Sequence, residues 1–352
     1  MSFRRFNFNQ NKKRNISRLL RERLPQTLTL SFWSIVTIWV VTFSLLNTSS
    51  NRSLSVAPLA SFPTSPITKP PADSPPVLAY YYIWFDIRSW NRAKTDYPLL
   101  GRYSSDNSEV MRQHIRWAKE AEIDGFIVSW KGTYKLNRRL QQLVRIAEQE
   151  NFKLAIIYES LDFERNPIPA EQVAADLNYF INRYAHKEVF RVLEKPMVIW
   201  SGTWNFSVQE IQNVVQDKRE HIFILASEKN VKEYQRLAEL VDGDVYYWSS
   251  VNPDTHSGYP DKLIDMGKAV HENGGLWVAP AAPGYDSRLL GGTTVVDRKD
   301  GETLRTQLEV AVQSEPDAVG LISWNEFSEN SHNEPSQNYS HQSLKVLGEL
   351  YR

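Results

Sequence analysis

The chain has 352 residues, with 41 basic and 41 acidic side chains and no cysteine. Balanced charge gives no reason to expect a nucleic-acid partner, and the lack of cysteine excludes disulfides, thiolate metal ligands and cysteine nucleophiles. A single barrel of about 250 residues fits this length, although two smaller domains also fit. The 11 Trp, 16 Tyr and 15 Phe indicate either a large core or surfaces that hold sugar rings, so composition favours carbohydrate only weakly.

The first 76 residues are predicted to form a tail, an anchor and a stalk. Residues 1–26 carry many basic side chains and a single acid, which is typical of a cytoplasmic segment beside a membrane; a nucleic-acid arm is the alternative. Residues 27–47 are uncharged and long enough to cross a bilayer. They predict an uncleaved transmembrane helix. The residues that follow it would then lie at the cell exterior, in a periplasm or in a Golgi lumen. Residues 48–76, rich in Ser, Thr and Pro, predict a disordered stalk.

Residues 77–352 are predicted to form an α/β domain, a (β/α)8 TIM barrel. Short apolar runs alternate with segments of helical period, which is typical of strand–helix units around a parallel sheet. The predicted strands are Val77–Trp84, Gly125–Trp130, Lys153–Glu159, Pro196–Trp200, His221–Glu228, Asp244–Trp248, Leu276–Pro280 and Ala318–Trp324. Between them, Leu140–Ala147 and Val173–Tyr184 have the apolar spacing of amphipathic helices. A third helix is expected around Met111–Ala118, with Asn107 among its cap candidates.

Aromatic and acidic residues occupy the ends of the predicted strands. A barrel of this kind has its active site at the carboxyl ends of its strands, where the loops converge. The residues at these ends are Trp84, Trp130, Glu159, Trp200, Glu228, Tyr247, Trp248, Trp324 and Glu326. One tryptophan at a strand end is usually a packing residue, but the whole set predicts a sugar-binding cleft that contains acids.

The segment Ala318–Pro335 joins a buried-strand pattern to a cluster of acids and amides. Glu326 and Glu329 follow the strand within one short loop, directly after Asn325. Two carboxylates three residues apart beyond a rigid strand suit acid/base or nucleophilic chemistry at one sugar or acyl centre. The alternative interpretation is that both are solvated loop carboxylates.

No metal site and no cofactor are predicted. The seven histidines form no ligand-spaced cluster, and the chain has neither a phosphate-binding glycine loop nor a G-x-S-x-G nucleophile elbow. Asp286, Asp297 and Asp300 share one long loop and could bind Ca²⁺, but a solvated loop face is the favoured interpretation.

Several short segments occur in an order that resembles one enzyme family. They are Tyr80–Trp84, Gly101–Ser105, Ile127–Trp130, Tyr158–Glu159, Val241–Gly243 with Tyr247, Pro283–Asp286 and Trp324–Glu329. In this order they resemble glycoside hydrolase family 99, which holds endo-α-mannosidases and endo-α-1,2-mannanases. The resemblance covers essentially all of residues 77–352.

The resemblance implies a hydrolase that cleaves internal α-mannosidic linkages of an oligosaccharide or polysaccharide with retention, through a 1,2-anhydro sugar. Together with the anchor predicted for residues 27–47, it predicts a membrane-anchored enzyme. Glu326 and Glu329 match the two glutamates of the family segment N-E-W-H-E-G. The first would act as a base on the sugar 2-hydroxyl, and the second as the general acid/base at the leaving oxygen. The predicted substrate-binding residues are Tyr81, Trp84, Trp130, Glu159, Tyr247, Tyr285 and Asn325.

This chain departs from the family segment at three positions. Phe327 and Ser328 replace the Trp and His between the glutamates, and Asn330 replaces the Gly after them. These departures affect substrate specificity more than reaction type. Two alternatives stay open: a non-catalytic glycan-binding barrel, which fits the Trp-rich rim and the altered loop, and a structural domain of a cell-envelope assembly, which needs only the anchor and the stalk.

Overall fold

Eight parallel strands close into a barrel in a computed structural model that describes residues 74–162 and 164–351. The barrel strands are β1 (Val77–Tyr82), β2 (Gly125–Trp130), β3 (Lys153–Glu159), β4 (Met197–Ser201), β5 (Phe223–Ala226), β6 (Gly243–Val245), β7 (Leu276–Ala281) and β10 (Ala318–Leu321). In the order β1-β10-β7-β6-β5-β4-β3-β2, each strand pairs with its neighbours and β2 pairs again with β1. A separate antiparallel hairpin pairs β8 (Tyr285–Asp286) with β9 (Val295–Val296).

Helices follow the strands and cover the outside of the barrel. They are α1 (Ser108–Glu120), α2 (Tyr134–Glu150), α3 (Ala170–Tyr184), α4 (Val208–Val215), α5 (Val231–Gln235), α6 (Tyr259–Glu272), α7 (Glu302–Gln313) and α8 (Gln342–Tyr351). The predicted cap of the first helix is confirmed, because the Asn107 side chain accepts hydrogen bonds from the backbone N–H groups of Glu109 and Val110.

The predicted tail (1–26), the predicted anchor (27–47) and residues 48–73 of the predicted stalk lie outside the described residues. Among residues 74–162 and 164–351, none of the helices combines the length and the apolar content needed to cross a bilayer.

The predicted barrel is confirmed, and four strands end earlier than predicted. β2 and β3 have the predicted bounds. β1 ends at Tyr82 instead of Trp84, β5 at Ala226 instead of Glu228, β6 at Val245 instead of Trp248 and β10 at Leu321 instead of Trp324. The aromatic and acidic residues assigned to these four strand ends therefore lie in loops, where their direction no longer follows strand alternation.

The strands separate two cores. Along β1, Leu78 and Tyr80 pack inside the barrel, whereas Ala79 and Tyr81 pack outside, between strands and helices. The same alternation applies along β2, where Ile127 faces the interior. This alternation therefore decides which of two adjacent residues at a strand end faces the barrel interior.

A buried arginine holds the long connection between β1 and α1, residues 83–107. The fully buried Arg139 of α2 donates to the carbonyl oxygen of Ile83 at 2.9 Å, to Asp86 at 2.6 Å and to Asp106 at 2.7 Å. Both ends of the connection are thereby fastened to one guanidinium group by charge-assisted hydrogen bonds. This connection borders the loop that follows β10.

Gly243 in β6 lies where the barrel leaves no space for a larger side chain. Gly243 has φ +153°, and a Cβ atom there would lie 2.0 Å from the carbonyl oxygen of Leu276. We expect Gly243→Ala to lower the free energy of unfolding by about 3 kcal/mol, because both the backbone conformation and the space exclude the methyl group. Gly274 also has a positive φ, +69°, but no atom lies within 4 Å of its Cβ position. Gly274→Ala should cost only about 1 kcal/mol of backbone strain. Urea denaturation of both variants checks this, and equal losses would contradict it.

Candidate active site

The loop that follows β10, residues 323–334, is closed by its own backbone. The N–H of Ser323 donates to the carbonyl oxygen of Ser331 at 2.7 Å, and the N–H of Glu334 donates to that of Trp324 at 2.8 Å. The beginning and the end of the loop are thus hydrogen-bonded to each other. The two predicted glutamates lie on a compact loop rather than on a free one.

Asn325 fastens this loop to β1. Its side-chain oxygen accepts the N–H of Tyr82 at 2.9 Å, and its side-chain nitrogen donates to the carbonyl oxygen of Tyr82 at 3.0 Å. An amide side chain used in this way satisfies the β1 backbone where β10 has already ended. Asn325 is fully buried, so its predicted contact with substrate is corrected to a positioning role.

A buried polar network lies behind Asn325. Its side-chain nitrogen also donates to the Tyr103 hydroxyl at 3.2 Å, which donates to Glu334 at 2.9 Å. Glu334 lies 3.0 Å from His114, which in turn is 3.0 Å from the Tyr81 hydroxyl. All five side chains are buried. Tyr81 therefore faces α1 and the outer core, and the structure corrects the prediction that it binds substrate.

Glu326 is half-buried and bound to its own loop. Its carboxylate accepts the N–H of Ser328 at 3.0 Å, and its own N–H donates to the Ser323 hydroxyl at 2.8 Å. Burial raises the pKa of Glu326, while hydrogen bonds from Ser328 and the positive charge of Lys94 act in the opposite direction. These contacts stabilise the ionised form of this carboxylate.

Glu329 differs from Glu326 in its charge environment. Burial and, after it, the negative charge of Glu326 raise the pKa of Glu329 to about 7, against opposing effects of a Ser331 hydrogen bond and of Arg165. The Ser331 hydroxyl lies 3.0 Å from the carboxyl group, and the backbone oxygen of Glu329 accepts the N–H of Asp286 at 2.7 Å. One of the two glutamates therefore holds a proton near neutral pH.

Glu159 ends β3 and faces the same cleft. Ser129, its neighbour on β2, donates to its carboxylate at 2.9 Å. Burial raises the pKa of Glu159, and the hydrogen bond from Ser129 and the charges of Lys131 and Arg165 oppose this. The predicted position of Glu159 beside the loop glutamates is supported, because its charge and theirs act on the same tyrosine, Tyr82.

Two tyrosine hydroxyls meet beside the glutamates. The hydroxyl groups of Tyr82 and Tyr247 lie 2.8 Å apart. Burial raises the pKa of Tyr82 well above its usual value, and the charges of Glu329, Glu159 and Glu326 raise it further. Burial likewise raises the pKa of Tyr247. Both hydroxyls stay protonated, so they can donate to a bound oxygen or to a carboxylate.

Exposed aromatic surface borders the carboxylates. Trp84 is 43% exposed, and its indole stacks on the Tyr82 ring with centroids 4.3 Å apart. Tyr285, in the hairpin after β7, is half-buried, and burial followed by the charge of Glu329 raises its pKa. These two predicted residues lie near the cleft, where a flat apolar surface can hold a sugar ring beside groups that bind its hydroxyls.

Trp130 does not reach the cleft. It is fully buried in the outer core, its ring lies 5.8 Å from that of Tyr158, and its Nε1 donates to Asn137 at 2.8 Å. The prediction that Trp130 stacks on a sugar is therefore corrected: strand alternation turns Ser129 inward and Trp130 outward. Trp200 and Trp324 are also fully buried in the outer core.

Phe327 anchors the loop in a buried aromatic cluster. It is fully buried and packs with Trp90 and Tyr103. Its ring stacks on that of His332 with centroids 4.1 Å apart. Burial and Arg298 lower the pKa of His332 to about 3, so a neutral imidazole forms this stack.

Sequence patterns missed three features of the site. Tyr82 was hidden within a run of three tyrosines, and strand alternation from Leu78 is the signal that identifies it. Ser129 and Lys94 carry no motif, since their roles arise from contacts between separate loops. Together the described residues bring three carboxyl groups with raised pKa values, two neutral phenols and an aromatic edge to one end of the barrel. Such a set of groups can transfer protons to and from a bound sugar.

Comparisons with known proteins agree with this geometry. A family model described as glycosyl hydrolase family 99 matches residues 85–348. A GH99 endo-α-mannosidase from Bacteroides thetaiotaomicron, solved with BIS-TRIS-propane, is 20% identical and has a TM-score of 0.70, with 78% of this chain and 96% of that chain covered. A solved protein described as glycoside hydrolase-like is 16% identical, with a TM-score of 0.63, covering 82% of this chain and 97% of its own.

No curated protein sequence matches the chain, and structural neighbours at these identities establish the fold alone. The family model spans well over half of the 352 residues. It begins directly after Trp84 and includes residues 85–107 of the connection between β1 and α1, β2, β3 and the whole loop after β10. The chain therefore belongs to glycoside hydrolase family 99 and is a glycoside hydrolase.

Proposed function

We propose that this enzyme cleaves internal α-mannosidic linkages of a mannose-containing oligosaccharide or polysaccharide with retention of configuration. The observation that carries the proposal is the unequal pair of glutamates on the loop after β10. Glu329 has a pKa raised to about 7, whereas Glu326 is bound by a backbone N–H and lies near a cation. Solved endo-α-mannosidases of the same family share the fold.

The first proposed step closes a ring on the sugar itself. Glu326 accepts the proton of the 2-hydroxyl, and the freed oxygen attacks C1 while the C1–oxygen bond to the leaving sugar breaks. Glu329 gives its proton to that leaving oxygen. The products are a 1,2-anhydro sugar and a released oligosaccharide, and no bond to the protein forms.

The second proposed step opens the ring with water. Water attacks C1, Glu329 takes a proton from the water, and the proton held by Glu326 returns to the sugar O2. Each step inverts C1, so the two together retain its configuration. Both glutamates end in their starting protonation states, which is the requirement for turnover.

Neutral hydroxyls and an aromatic edge support substrate positioning in this proposal. Tyr82 and Tyr247 remain protonated beside the glutamates, so they can donate to a sugar hydroxyl or steady a carboxylate. Glu159 lies within electrostatic reach of the same group and can accept from a sugar hydroxyl. Trp84 and Tyr285 flank the cleft at its rim, where further sugars of an internal linkage would lie.

We also propose that the enzyme is a single-pass membrane protein with a cytoplasmic N-terminus and an extracytoplasmic barrel. The support is sequence alone: a basic segment, residues 1–26, followed by uncharged residues 27–47. In a fractionated host, the full chain should stay with membranes after alkaline carbonate washing, while a chain lacking residues 27–47 should not. Recovery of the full chain in the wash would overturn the anchor.

Removing the proposed acid should abolish turnover. Glu329→Gln should lower kcat on α-mannan or on a glucosylated mannose oligosaccharide by about a thousandfold, with KM little changed, because the leaving oxygen loses its proton donor. Product analysis by chromatography measures release, and proton NMR of the first-formed anomer reports configuration. Glu220→Gln, at an exposed glutamate, is the control and should be fully active. Full activity of Glu329→Gln would overturn its acid role, and binding without any release by the wild type would favour a glycan-binding barrel.

The raised pKa of Glu329 should also appear in stability. A carboxyl with a folded-state pKa of about 7 and an ordinary pKa of 4.5 binds its proton more tightly when folded. Its contribution is therefore present below pH 4.5 and is lost as pH rises through about 7. Relative to Glu329→Gln, the wild type should lose up to about 3 kcal/mol of unfolding free energy over that range. Urea denaturation at several pH values measures this, and a pH-independent difference between the two proteins would contradict it.

A further inference from the structure

Lys94 occupies a constrained position in the connection between β1 and α1. Its side chain is half-buried, and its ammonium group donates to the carbonyl oxygen of Ser89 at 3.1 Å and to that of Arg92 at 3.4 Å. Burial, partly offset by the charge of Glu326 and increased by that of Arg92, lowers the pKa of Lys94. The two hydrogen bonds, and not the burial, restrict the position of this ammonium group.

The residue after Lys94 is tied to the catalytic loop. The N–H and the hydroxyl group of Thr95 both donate to the carbonyl oxygen of Phe327, at 3.0 and 2.8 Å. Phe327 directly follows Glu326 in the chain. Two hydrogen bonds to one carbonyl therefore fix the backbone of Lys94 beside that of Glu326, while the contact with Ser89 limits where the ammonium group can lie.

Further contacts hold the same two segments together. Asp96 lies 3.3 Å from His332, and the N–H of Leu99 donates to the carbonyl oxygen of Pro335 at 2.9 Å. Residues 94–99 thus run alongside the loop after β10 and its continuation. The position of Lys94 is therefore set by the contacts that join these two segments, and not by the conformation of its own side chain alone.

The two glutamates have different charged neighbours. Burial raises the pKa of Glu326, and hydrogen bonds from Ser328 and then the charge of Lys94 oppose this. The other titratable groups nearby are Glu329 on the same loop, Tyr82 from β1 and Tyr247 after β6, all three being acids. At Glu329, burial and the negative charge of Glu326 raise the pKa, and the Ser331 hydrogen bond and the charge of Arg165 oppose this. A cation next to one member of such a pair selects which member is ionised.

We propose that Lys94 is a positioning residue that assigns the two roles, by holding Glu326 in its ionised form, whose negative charge in turn keeps the proton on Glu329. This inference rests on the proposed function, since it explains why the first glutamate is the base and the second the acid. Lys94 needs no contact with substrate for this effect. It acts through the charge that it presents to Glu326.

The test is the pH dependence of kcat/KM, whose acid limb reports ionisation of the base and whose alkaline limb reports loss of the acid proton. Lys94→Met should move the acid limb to higher pH, so that kcat/KM below the optimum falls about tenfold while the maximum changes less. Lys94→Gln, which keeps a donor for the Ser89 carbonyl but no charge, should behave in the same way. Lys94→Arg should restore the wild-type acid limb.

Lys135→Met is the matched control. Lys135 is an exposed lysine whose carboxylate partner is Asp86, 2.5 Å away, so removing its charge should leave the acid limb unchanged. A folded Lys94→Met or Lys94→Gln enzyme with the wild-type acid limb would overturn the proposal. So would a uniform loss of activity at all pH values that Lys94→Arg does not restore, because that is the signature of a structural role only.

A second readout separates this proposal from the proposed function. In the full-length chain labelled with ¹³C at glutamate carboxyls, the Glu326 signal is the one lost in Glu326→Gln. Its titration should move to higher pH in Lys94→Met and should return in Lys94→Arg. If the wild type released no sugar from any mannoside, the proposed function would fail, while the Glu326 titration would still support or overturn the role of Lys94.

Discussion

The site depends on the amide side chain of Asn325, which takes over the backbone pairing of β1 where β10 has ended. The N–H and the carbonyl of Tyr82 both bond to this one side chain. The loop can therefore leave the sheet while the buried backbone N–H and carbonyl groups of β1 keep hydrogen-bond partners. Because the same two bonds fix Tyr82, they also set its hydroxyl against Tyr247. The same two hydrogen bonds thus hold the loop against β1 and fix the geometry of the site.

Burial raises the pKa values of the carboxyl groups at this site, and nearby charges modify them. Desolvation raises the pKa of each of the three carboxyls, Glu159, Glu326 and Glu329. Lys131 and Arg165 counter burial at Glu159, Lys94 counters it at Glu326 and Arg165 counters it at Glu329. The negative charge of Glu326 adds to the effect of burial at Glu329. Unequal proton affinity arises from the arrangement of loops that surround a shared apolar site.

Strand–helix alternation was sufficient to predict the barrel, because its strands are short apolar runs with helical segments between them. It was also sufficient to place Glu159, Glu326, Glu329 and Tyr247 at one end of the barrel. It failed where one residue of register decides direction: Tyr81 and Trp130 were expected in the cleft, but alternation turns both outward. It also could not identify Lys94, since that residue reaches the site through hydrogen bonds between segments more than two hundred residues apart in sequence.

Packing of the loop, as well as contact with substrate, bears on the residues that differ from the family segment. Phe327 stands where the family segment has Trp, and its ring lies in a buried aromatic cluster and stacks on a neutral His332. A large planar residue at this position is an anchor that sets the angle at which the loop leaves β10. The change from Trp to Phe is compatible with that function because the anchor remains aromatic and buried. Ser328 is different, since it is half-buried beside Glu326 and its side chain is much smaller than the family's histidine. The departures therefore differ in kind, because Phe327 keeps a buried aromatic ring whereas Ser328 reduces the side chain beside Glu326.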